Sequence, residues 1–565
     1  MRVIKQIVDF FSQYYYMRNL LFVAIVNSLV LLPSTVFPQN HNNIPSEKPK
    51  LIVCMVVDQM RYDYIHRFWD KFGEDGIKRL VISGTFCKNA AYDYLINETA
   101  VGHATVATGA LPSHHGIISN NWYNNLQEEV VYCVADEKTR TVGGNFESGQ
   151  FSPRQMLAST IGDEIRLSSN FKSKVIGLAL DNNAAILSAG HSANYAFWYD
   201  NLSGKWISST YYMDSLPGWV RQFNEKNLAE SYLDRTWEPL LPLSEYTEST
   251  SDTSEFETGI EGKTVFPYDL KKISQPKRNE RNYRILKYTP YGNVLTRDFA
   301  TAVVINEKLG QDEYTDYLSI GFSANEYIGK YFGSNSVEMQ DAMLRLDQEL
   351  AHFINFIDQQ VGEQNTLFIL TSDHGLAHQP AYLTRHKIPS GDFNPHSSLS
   401  LLGSYLNAIY GKGDWVKYYY GQQIYLNHEL IETSGITYQE IQDRTAQFLI
   451  QFAGVSNAVS SYTLQTSNFS EGIFHKMQNG YHQKRSGDVI INLAPGWMET
   501  DDGNSYHSSY LGDNHVPLIF YGWKIKRSSL TRPVKMIDIA PTISYFLEIS
   551  RPNVSTGDII LELVQ

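Results

Sequence analysis

The chain has 565 residues, of which 42% are hydrophobic and 19% charged, values typical of a globular protein rather than a disordered one. Its formal net charge of -13 leaves no basic surplus to neutralise phosphates, which argues against nucleic acid as a general partner. The length exceeds one ordinary domain and predicts either a large core domain with sizeable insertions or two domains.

The N-terminal segment, residues 1–40, has the order of a targeting signal. Arg18 follows Met17, and an apolar run from Leu20 to Leu32 precedes a proline and small residues. This order is typical of a secretory signal peptide that starts at Met17, and the run is short for a membrane span. The cleavage site is weakly marked, so an uncleaved N-terminal anchor stays open. We expect an exported protein, periplasmic or secreted, with no membrane span beyond such an anchor.

Four short apolar runs end abruptly in polar residues, a pattern that predicts buried parallel strands. The runs and the polar residues that follow them are LIVCMVV with Asp58, VIGLAL with Asp181, YLSIGFS leading to Glu326, and TLFILTS with Asp373. In open α/β sheets, ligands bind beyond the carboxyl ends of the strands, which is where these polar residues fall. Cys54 lies inside the first run, and three cysteines in all are too few for a disulfide framework or a Cys-rich metal motif.

One long helix is predicted over SVEMQDAMLRLDQELAHFINFID, whose apolar residues recur at helical spacing. Together with the strands it indicates an α/β fold with a largely parallel sheet between helices. We expect core segments at 48–193, 294–418 and 499–565, an aromatic-rich insertion at 194–293 near the cleft, and a small α+β insertion at 419–498. Within the first insertion, SEYTESTSDTSEFETG is acidic and polar, and we expect it to be exposed.

The stretch NETAVGHATVATGALPSHHG places Thr99 after a carboxylate and before a run of small residues. Small residues let the backbone turn tightly and begin a helix whose N-terminus a bulky anion can approach. The same residues also suit an ordinary helix packed closely against a sheet, which is the commoner interpretation of this stretch by itself. For His103, His114 and His115 we expect structural hydrogen bonding rather than substrate contact.

Five side chains form a chemical set when they are considered together: Asp58, Thr99, Asp373, His374 and His515. Carboxylate oxygens mixed with imidazole suit zinc better than calcium. Each residue by itself is weak evidence for a metal site, because an Asp after a strand is usually a helix cap and a lone His is usually a structural residue. Their placement at strand ends favours a metal site.

Several motifs in the same order resemble the alkaline phosphatase superfamily. These are VDQMRYDY, ETAVGHATVATGALPSHHGIISNNWY, TSDHG and HVPLIFYG, with ILSAGHSANYAFWYD and the long helix between them. The pattern is most similar to the secreted, phosphate-irrepressible alkaline phosphatases that use a threonine nucleophile, which are type I phosphodiesterase/nucleotide pyrophosphatase-like. The resemblance covers most of the chain after the targeting segment and implies an alkaline-phosphatase-like core.

The resemblance implies a role for each matching residue. Thr99 would be the nucleophile that becomes phosphorylated, and it would also contact the metal. Asp58, Asp373 and His374 would hold that zinc ion, and Asn120 would donate a hydrogen bond to a phosphoryl oxygen. A second zinc site would include His515 together with Glu326, and the substrate would be a small-molecule phosphate ester.

Four positions depart from the family pattern. Glu326 stands where the family has Asp, which keeps a carboxylate, whereas Lys330 stands where the family has a His ligand. A protonated lysine has no lone pair for zinc and its charge repels the ion, so Lys330 either turns away or takes the place of the metal next to the substrate. Asp181 and Asn183 stand where the phosphomonoesterases carry Lys and Arg, which predicts poor binding of a monoester dianion.

Three hypotheses follow for the function. In the first, the protein is a metal-dependent hydrolase that works through a phosphothreonine on Thr99 and prefers diesters or bulky substrates. In the second, one metal at Asp58, Asp373 and His374 works with Lys330 in place of the second metal, as in a phosphodiesterase or a sulfatase-like hydrolase. In the third, the protein is a weak or inactive relative that binds a ligand.

Overall fold

A computed structural model describes residues 46–275, 281–501, 504–506 and 514–563. The predicted targeting segment at 1–40 lies outside these residues. Within them, no helix is both long enough and apolar enough to cross a membrane.

The strands of the described residues are numbered in chain order. They are β1 Leu51–Val57, β2 Thr85–Ala91, β3 Asn121–Asn124, β4 Glu129–Tyr132, β5 Thr141–Val142, β6 Val175–Ala179, β7 Tyr195–Asp200, β8 Lys205–Ser209, β9 Thr236–Trp237, β10 Tyr268–Asp269, β11 Asp316–Phe322, β12 Thr366–Thr371, β13 Gly391–Phe393, β14 Val416–Tyr420, β15 Gln423–Leu426, β16 Val455–Ser460, β17 Val489–Leu493, β18 Trp497–Asp501, β19 Asn504–Tyr506, β20 His515–Gly522, β21 Ser528–Leu530 and β22 Val534–Lys535.

The α-helices of the same residues are numbered likewise. They are α1 Tyr62–Arg67, α2 Ile77–Ser83, α3 Thr99–Thr108, α4 Pro112–His115, α5 Ile161–Ser168, α6 Asn182–Ala189, α7 Gly218–Glu225, α8 Leu228–Leu233, α9 Leu270–Ser274, α10 Tyr291–Glu307, α11 Ala324–Phe332, α12 Val337–Gln360, α13 Pro380–Arg385, α14 Pro395–Tyr410, α15 His428–Ser434, α16 Tyr438–Leu449, α17 Ser461–Thr466, α18 Gly472–Gly480 and α19 Ile539–Leu547.

The central sheet has the strand order β21-β2-β20-β12-β1-β11-β6-β7-β8-β5, with β22 paired to β2. Its middle strands, from β12 to β7, are parallel, whereas β20 and β8 run antiparallel to their neighbours β12 and β7. The four apolar runs predicted as strands are the adjacent strands β12, β1, β11 and β6, and the predicted long helix is α12. The structure therefore confirms an α/β fold with a largely parallel sheet between helices.

Strand β1 shows why these sequences form the centre of the sheet. All seven of its residues are buried. Its alternate residues beginning at Leu51 join the hydrophobic cluster that contains α12, and the intervening residues beginning at Ile52 join the cluster that contains α19. A strand covered by helices on both faces has no polar side, which explains the continuous apolar run. Cys54 lies on the second face and is buried, as expected.

The two predicted insertions differ in how they relate to the central sheet. The segment 194–293 begins with β7 and β8, which extend the central sheet, and its later part packs against the α12 face. The segment 419–498 contributes to a separate four-stranded sheet, β14-β15-β17-β16, whose hydrophobic cluster includes residues of α14 and α16. The described residues nevertheless form one compact unit.

Helix α3 lies so close to the end of β12 that one position requires glycine. A Cβ atom on Gly102 would lie 2.2 Å from the carbonyl oxygen of Asp373. All ten residues of α3 are buried, so the helix cannot move away without opening the core. The small residues after Thr99 thus have a packing reason, and the close approach brings Thr99 near the strand end that carries Asp373.

We predict that Gly102→Ala lowers the free energy of unfolding by about 1–3 kcal/mol, the usual cost of overpacking a tight core. The matched control is Gly403→Ala in α14, where a Cβ atom would meet no atom within 4 Å. That change should stabilise the protein by roughly 0.5–1 kcal/mol because alanine favours a helix. Urea unfolding measured by circular dichroism compares the two, and a Gly102→Ala protein as stable as the wild type would contradict the packing argument.

Candidate active site at the carboxyl ends of the central strands

Asp58 follows β1 and is fully buried. Its Oδ1 lies 3.1 Å from Nε2 of His103, whose Nδ1 lies 2.8 Å from the hydroxyl oxygen of Ser188. Its Oδ2 has no hydrogen-bond partner among the described residues. Burial, and then the charge of Asp373, raise the pKa of Asp58 to about 6. An ionised Asp58 therefore needs a cation beside Oδ2.

Asp373 and His374 follow β12, the neighbour of β1. Asp373 Oδ1 accepts hydrogen bonds from the backbone N–H groups of Gln59 and His374, at 3.0 and 2.7 Å. Asp373 Oδ2 is buried and has no partner among the described residues, and His374 Nε2 lies 3.4 Å from it. Nδ1 of His374 lies 2.7 Å from the carbonyl oxygen of Gly375 and donates to it, so Nε2 is the ring nitrogen that carries the lone pair.

Thr99 is the first residue of α3 and is 3% exposed. Its hydroxyl donates to Oε2 of Glu326 at 3.1 Å. The N-terminus of a helix presents unsatisfied N–H groups and a partial positive charge, which stabilise an anion. The hydroxyl thus lies where a phosphoryl group can be bound and attacked.

Asn120 is held by two contacts to its amide oxygen and one to its backbone. Its Oδ1 accepts from the backbone N–H of Ala100 at 3.1 Å and from Nδ2 of Asn183 at 3.2 Å. Its backbone N–H donates to Oε2 of Glu98, the residue before the nucleophile candidate. Because Oδ1 is already engaged, the Nδ2 group is the part of Asn120 that can donate to a ligand. Asn183 is therefore a positioning residue for Asn120.

Asp181 and Glu326 form a second acidic group with Asp58. One ligand atom from each of the three lies within 4.8 Å of the others. Burial, and then the charges of Asp181 and Asp58, raise the pKa of Glu326 to about 8. Oδ1 of Asp181 accepts from Nζ of Lys287 at 2.6 Å and from the hydroxyl of Tyr327 at 2.8 Å. Lys287 is 4% exposed and balances the negative charge at position 181.

Two predicted site residues, His515 and Lys330, do not belong to the groups of side chains around Asp58. His515 pairs with Ala91 across β2 and β20, its ring stacks on Tyr62 at 4.0 Å between centroids, and its Nε2 donates to the carbonyl oxygen of Lys88 at 2.9 Å. Neither three-residue group of metal-ligand type among the described residues contains His515, and neither contains His374. Lys330 lies one helical turn after Glu326 on α11 and is exposed.

The histidines near Thr99 make structural hydrogen bonds, as expected. His103 holds Asp58, and the two residues form a group with Asp373 whose ligand atoms lie within 4.8 Å of one another. Burial of the ring lowers the pKa of His103, but the hydrogen bond to Asp58 and the charges of Asp58 and Asp373 together outweigh it, so the pKa is raised. Buried His115 accepts from the backbone N–H of Ile117 at 3.1 Å, and its burial lowers its pKa to about 3. His114 is exposed.

Sequence reasoning missed Lys287 and Tyr327 as partners of Asp181. Lys287 lies 106 residues away along the chain, inside the segment expected to be an insertion, and no motif marks it. Tyr327 directly follows Glu326, so its place on the same helix turn was the available signal.

The chain matches the family model described as type I phosphodiesterase / nucleotide pyrophosphatase over residues 52–515. It is 38% identical to each of three relatives: the calcium-transporting ATPase of Myroides odoratus, covering 92% of this chain and 95% of that protein; alkaline phosphatase PhoV of Synechococcus elongatus, 94% and 95%; and alkaline phosphatase PafA of Elizabethkingia meningoseptica, 93% and 96%. The crystal structure of wild-type PafA matches with a TM-score of 0.87 at 37% identity, over 92% of this chain and 99% of that one.

We predict that Lys287→Met lowers the free energy of unfolding by about 3 kcal/mol, because it leaves the Asp181 carboxylate without its cation in a buried site. The side chains of Lys287 and Asp181 are 5% and 16% exposed, so water compensates little. The double variant Lys287→Met/Asp181→Leu removes both charges and should regain most of that stability. Equal unfolding free energies for wild type and Lys287→Met would contradict the pairing.

Proposed function

Because the chain belongs to the type I phosphodiesterase / nucleotide pyrophosphatase family and is a phosphoric ester hydrolase of the alkaline phosphatase superfamily, we propose that Thr99 is its nucleophile. The observation that carries this proposal is the position of the Thr99 hydroxyl. It lies at the N-terminus of α3, 3.1 Å from Oε2 of Glu326, a carboxylate that clusters with those of Asp58 and Asp181. No ordinary packing role requires a hydroxyl among those carboxylates.

Enzymes of this superfamily depend on divalent metal ions, and the donor set at the strand ends fits one. We assign a zinc ion to Asp58, Asp373 and His374, whose two carboxylate oxygens and one imidazole nitrogen are typical zinc ligands. Zinc there would supply a Lewis acid for the phosphoryl group and a positive charge that favours ionised Thr99. The buried Oδ2 atoms of Asp58 and Asp373 support the assignment because they have no partner within the described residues.

The protein side chains account for the movement of bonds and protons. In the first step Oγ1 of Thr99 bonds to phosphorus while the bond from phosphorus to the leaving oxygen breaks, and the electron pair goes with that oxygen. The hydroxyl proton passes to Oε2 of Glu326, its hydrogen-bond partner, and the leaving oxygen takes a proton from solvent. In the second step water attacks phosphorus while the bond from phosphorus to Oγ1 breaks, and Oγ1 takes the electron pair and one proton of the water. The phosphorylated product, a monoester when the substrate is a diester, then leaves, and Glu326 releases its proton to solvent.

Asn120 acts on a phosphoryl oxygen rather than on the proton, and Asn183 positions Asn120. The Nδ2 group of Asn120 donates to an oxygen whose charge grows as the bonds rearrange, and such a donor contributes about 10²-fold to the rate. Asn183 fixes the direction of that donor through its contact with Oδ1 of Asn120.

The second acidic group sets the choice between the two-metal and one-metal mechanisms. Asp58, Asp181 and Glu326 offer only oxygen donors, which suit Mg²⁺ or Mn²⁺ as well as zinc. Lys330 is exposed, whereas Lys287 is buried and already paired with Asp181. These features favour a second cation over the mechanism in which Lys330 replaces it. In this proposal His515 is only an alternative ligand of the second cation.

The substrate that we propose is a small phosphodiester, in preference to a simple phosphomonoester. Asp181 and Asn183 provide no cation for the second negative charge of a monoester dianion, and Lys287 is already engaged by Asp181. Export is proposed from the apolar run between Leu20 and Leu32.

We predict that Thr99→Ala abolishes hydrolysis of both a phosphodiester and a phosphomonoester, because no other group can accept the phosphoryl moiety. The direct measurement is acid quenching during turnover, followed by peptide mass spectrometry. In the wild type, the phosphoryl group should be found on the peptide that contains Thr99.

The matched control is Thr108→Ala, at the other end of α3, whose hydroxyl donates to the carbonyl oxygen of Ala104 and faces no carboxylate of the site. This variant should keep both turnover and the phosphopeptide. Normal turnover by Thr99→Ala, or a trapped phosphate on another residue, would refute the assignment.

A further inference from the structure

Gln59, the residue after Asp58, has a backbone conformation that residues other than glycine rarely adopt. Its φ angle is 58°, in the left-handed region, where the Cβ atom is crowded by the backbone. The residue is 7% exposed and lies between β1 and α1, so it belongs to the interior of the protein. Residues held in this region concentrate at functional sites, where the surrounding structure requires a particular backbone direction.

The left-handed residue belongs to a four-residue turn at the end of β1. The backbone N–H of Met60 donates to the carbonyl oxygen of Val57 at 3.2 Å, which makes Gln59 the third residue of the turn. A positive φ at the third position is a feature of type II turns, which ordinarily have glycine there. The sequence thus has glutamine at a position where the backbone favours glycine.

The turn directs two successive backbone N–H groups at the end of β12. The N–H of Gln59 donates to Oδ1 of Asp373 at 3.0 Å, and the N–H of Met60 donates to the hydroxyl oxygen of Ser372 at 2.9 Å. The Ser372 hydroxyl in turn donates to the carbonyl oxygen of His374 at 2.5 Å. The turn therefore holds the segment that carries two of the three residues assigned to zinc, and the turn itself contains the third.

The direction of the Gln59 N–H decides which oxygen of Asp373 is left for a metal ion. Oδ1 accepts from the N–H groups of Gln59 and His374, whereas Oδ2 is buried and has no partner in the described part of the chain. Without the Gln59 donor, the carboxylate could rotate and present either oxygen. Hydrogen bonds of this kind orient metal ligands and contribute to metal affinity.

The side chain of Gln59 packs against α11. A Cβ atom added to Gly329 of that helix would lie 2.6 Å from Oε1 of Gln59, and this oxygen is buried without a partner among the described residues. The contact with Asp373 comes from the backbone instead. It should therefore persist with any residue at position 59 that accepts the left-handed conformation.

We propose that Gln59 is a positioning residue of the metal centre, whose left-handed backbone holds Oδ1 of Asp373 and leaves Oδ2 to the zinc ion. The proposal rests on the zinc site assigned above to Asp58, Asp373 and His374. Glycine adopts a positive φ without steric cost and asparagine tolerates it, whereas a β-branched residue such as valine is a genuine outlier there. The backbone preference of residue 59 should therefore set the zinc affinity.

Chelator competition on the zinc-loaded full chain tests the proposal. A zinc chelator is titrated into wild type, Gln59→Gly, Gln59→Asn and Gln59→Val, the zinc left on each protein is measured by elemental analysis, and circular dichroism verifies folding. Gln59→Val should bind zinc about 10- to 100-fold more weakly, the usual effect of losing a hydrogen bond that orients a ligand. Gln59→Gly and Gln59→Asn should stay within about threefold of the wild type, because both accept a positive φ.

The matched control is Lys308→Val. Lys308 is exposed and has a φ angle of 53° at the end of α10, before the amino end of β11, so valine creates the same backbone conflict away from the site. This variant should be less stable than the wild type but should retain zinc equally well. If Gln59→Val does not fold, Gln59→Ala replaces it and should bind zinc more weakly than Gln59→Gly.

The outcomes separate this proposal from the zinc assignment. Undiminished zinc affinity in a folded Gln59→Val protein, or an equal loss in Gln59→Gly, would overturn the positioning role and leave the zinc assignment intact. A wild type that holds no zinc would refute both.

Discussion

The burial of Asp58 is the constraint on which the rest of the site depends. Its carboxylate has no exposure to water, one oxygen is held by His103, and the other has no partner in the described structure. Asp58 also belongs to both three-residue groups of ligand type, one with Asp373 and one with Glu326. A buried carboxylate shared by two acidic groups costs more than folding can ordinarily sustain, unless cations compensate it. Metal dependence thus follows from the packing as well as from the family.

The fold creates this concentration of charge through its parallel strands. β1, β11, β12 and β6 are neighbours, so their carboxyl ends deliver polar side chains to one edge of the sheet. Close packing of α3 at Gly102 then brings the Thr99 hydroxyl to the same edge. The charge at Asp181 is balanced in part by Lys287, whose ammonium nitrogen lies 2.6 Å from Oδ1 of the carboxylate.

The sequence predicted the central strands, the long helix and the residues that follow each strand, because continuous apolar runs have few alternatives to burial on both faces. It could not predict Lys287 or the Asn183 contact to Asn120, since such pairs depend on distances between segments far apart along the chain. The expectation that the stretch SEYTESTSDTSEFETG is exposed was wrong for Glu257, whose two carboxylate oxygens are buried. Composition reports average polarity, whereas burial of a single side chain depends on the neighbours that folding supplies.

The most direct test of the account is the zinc content of purified wild-type, Asp58→Asn and Thr99→Ala proteins, by elemental analysis after loosely bound metal is removed. If Asp58 holds the ion at the strand ends, Asp58→Asn should lose at least one zinc per chain relative to wild type. Thr99→Ala, which keeps the carboxylates and His374, should retain most of its zinc. Undiminished zinc in a folded Asp58→Asn protein would contradict the claim that this buried carboxylate organises the metal centre.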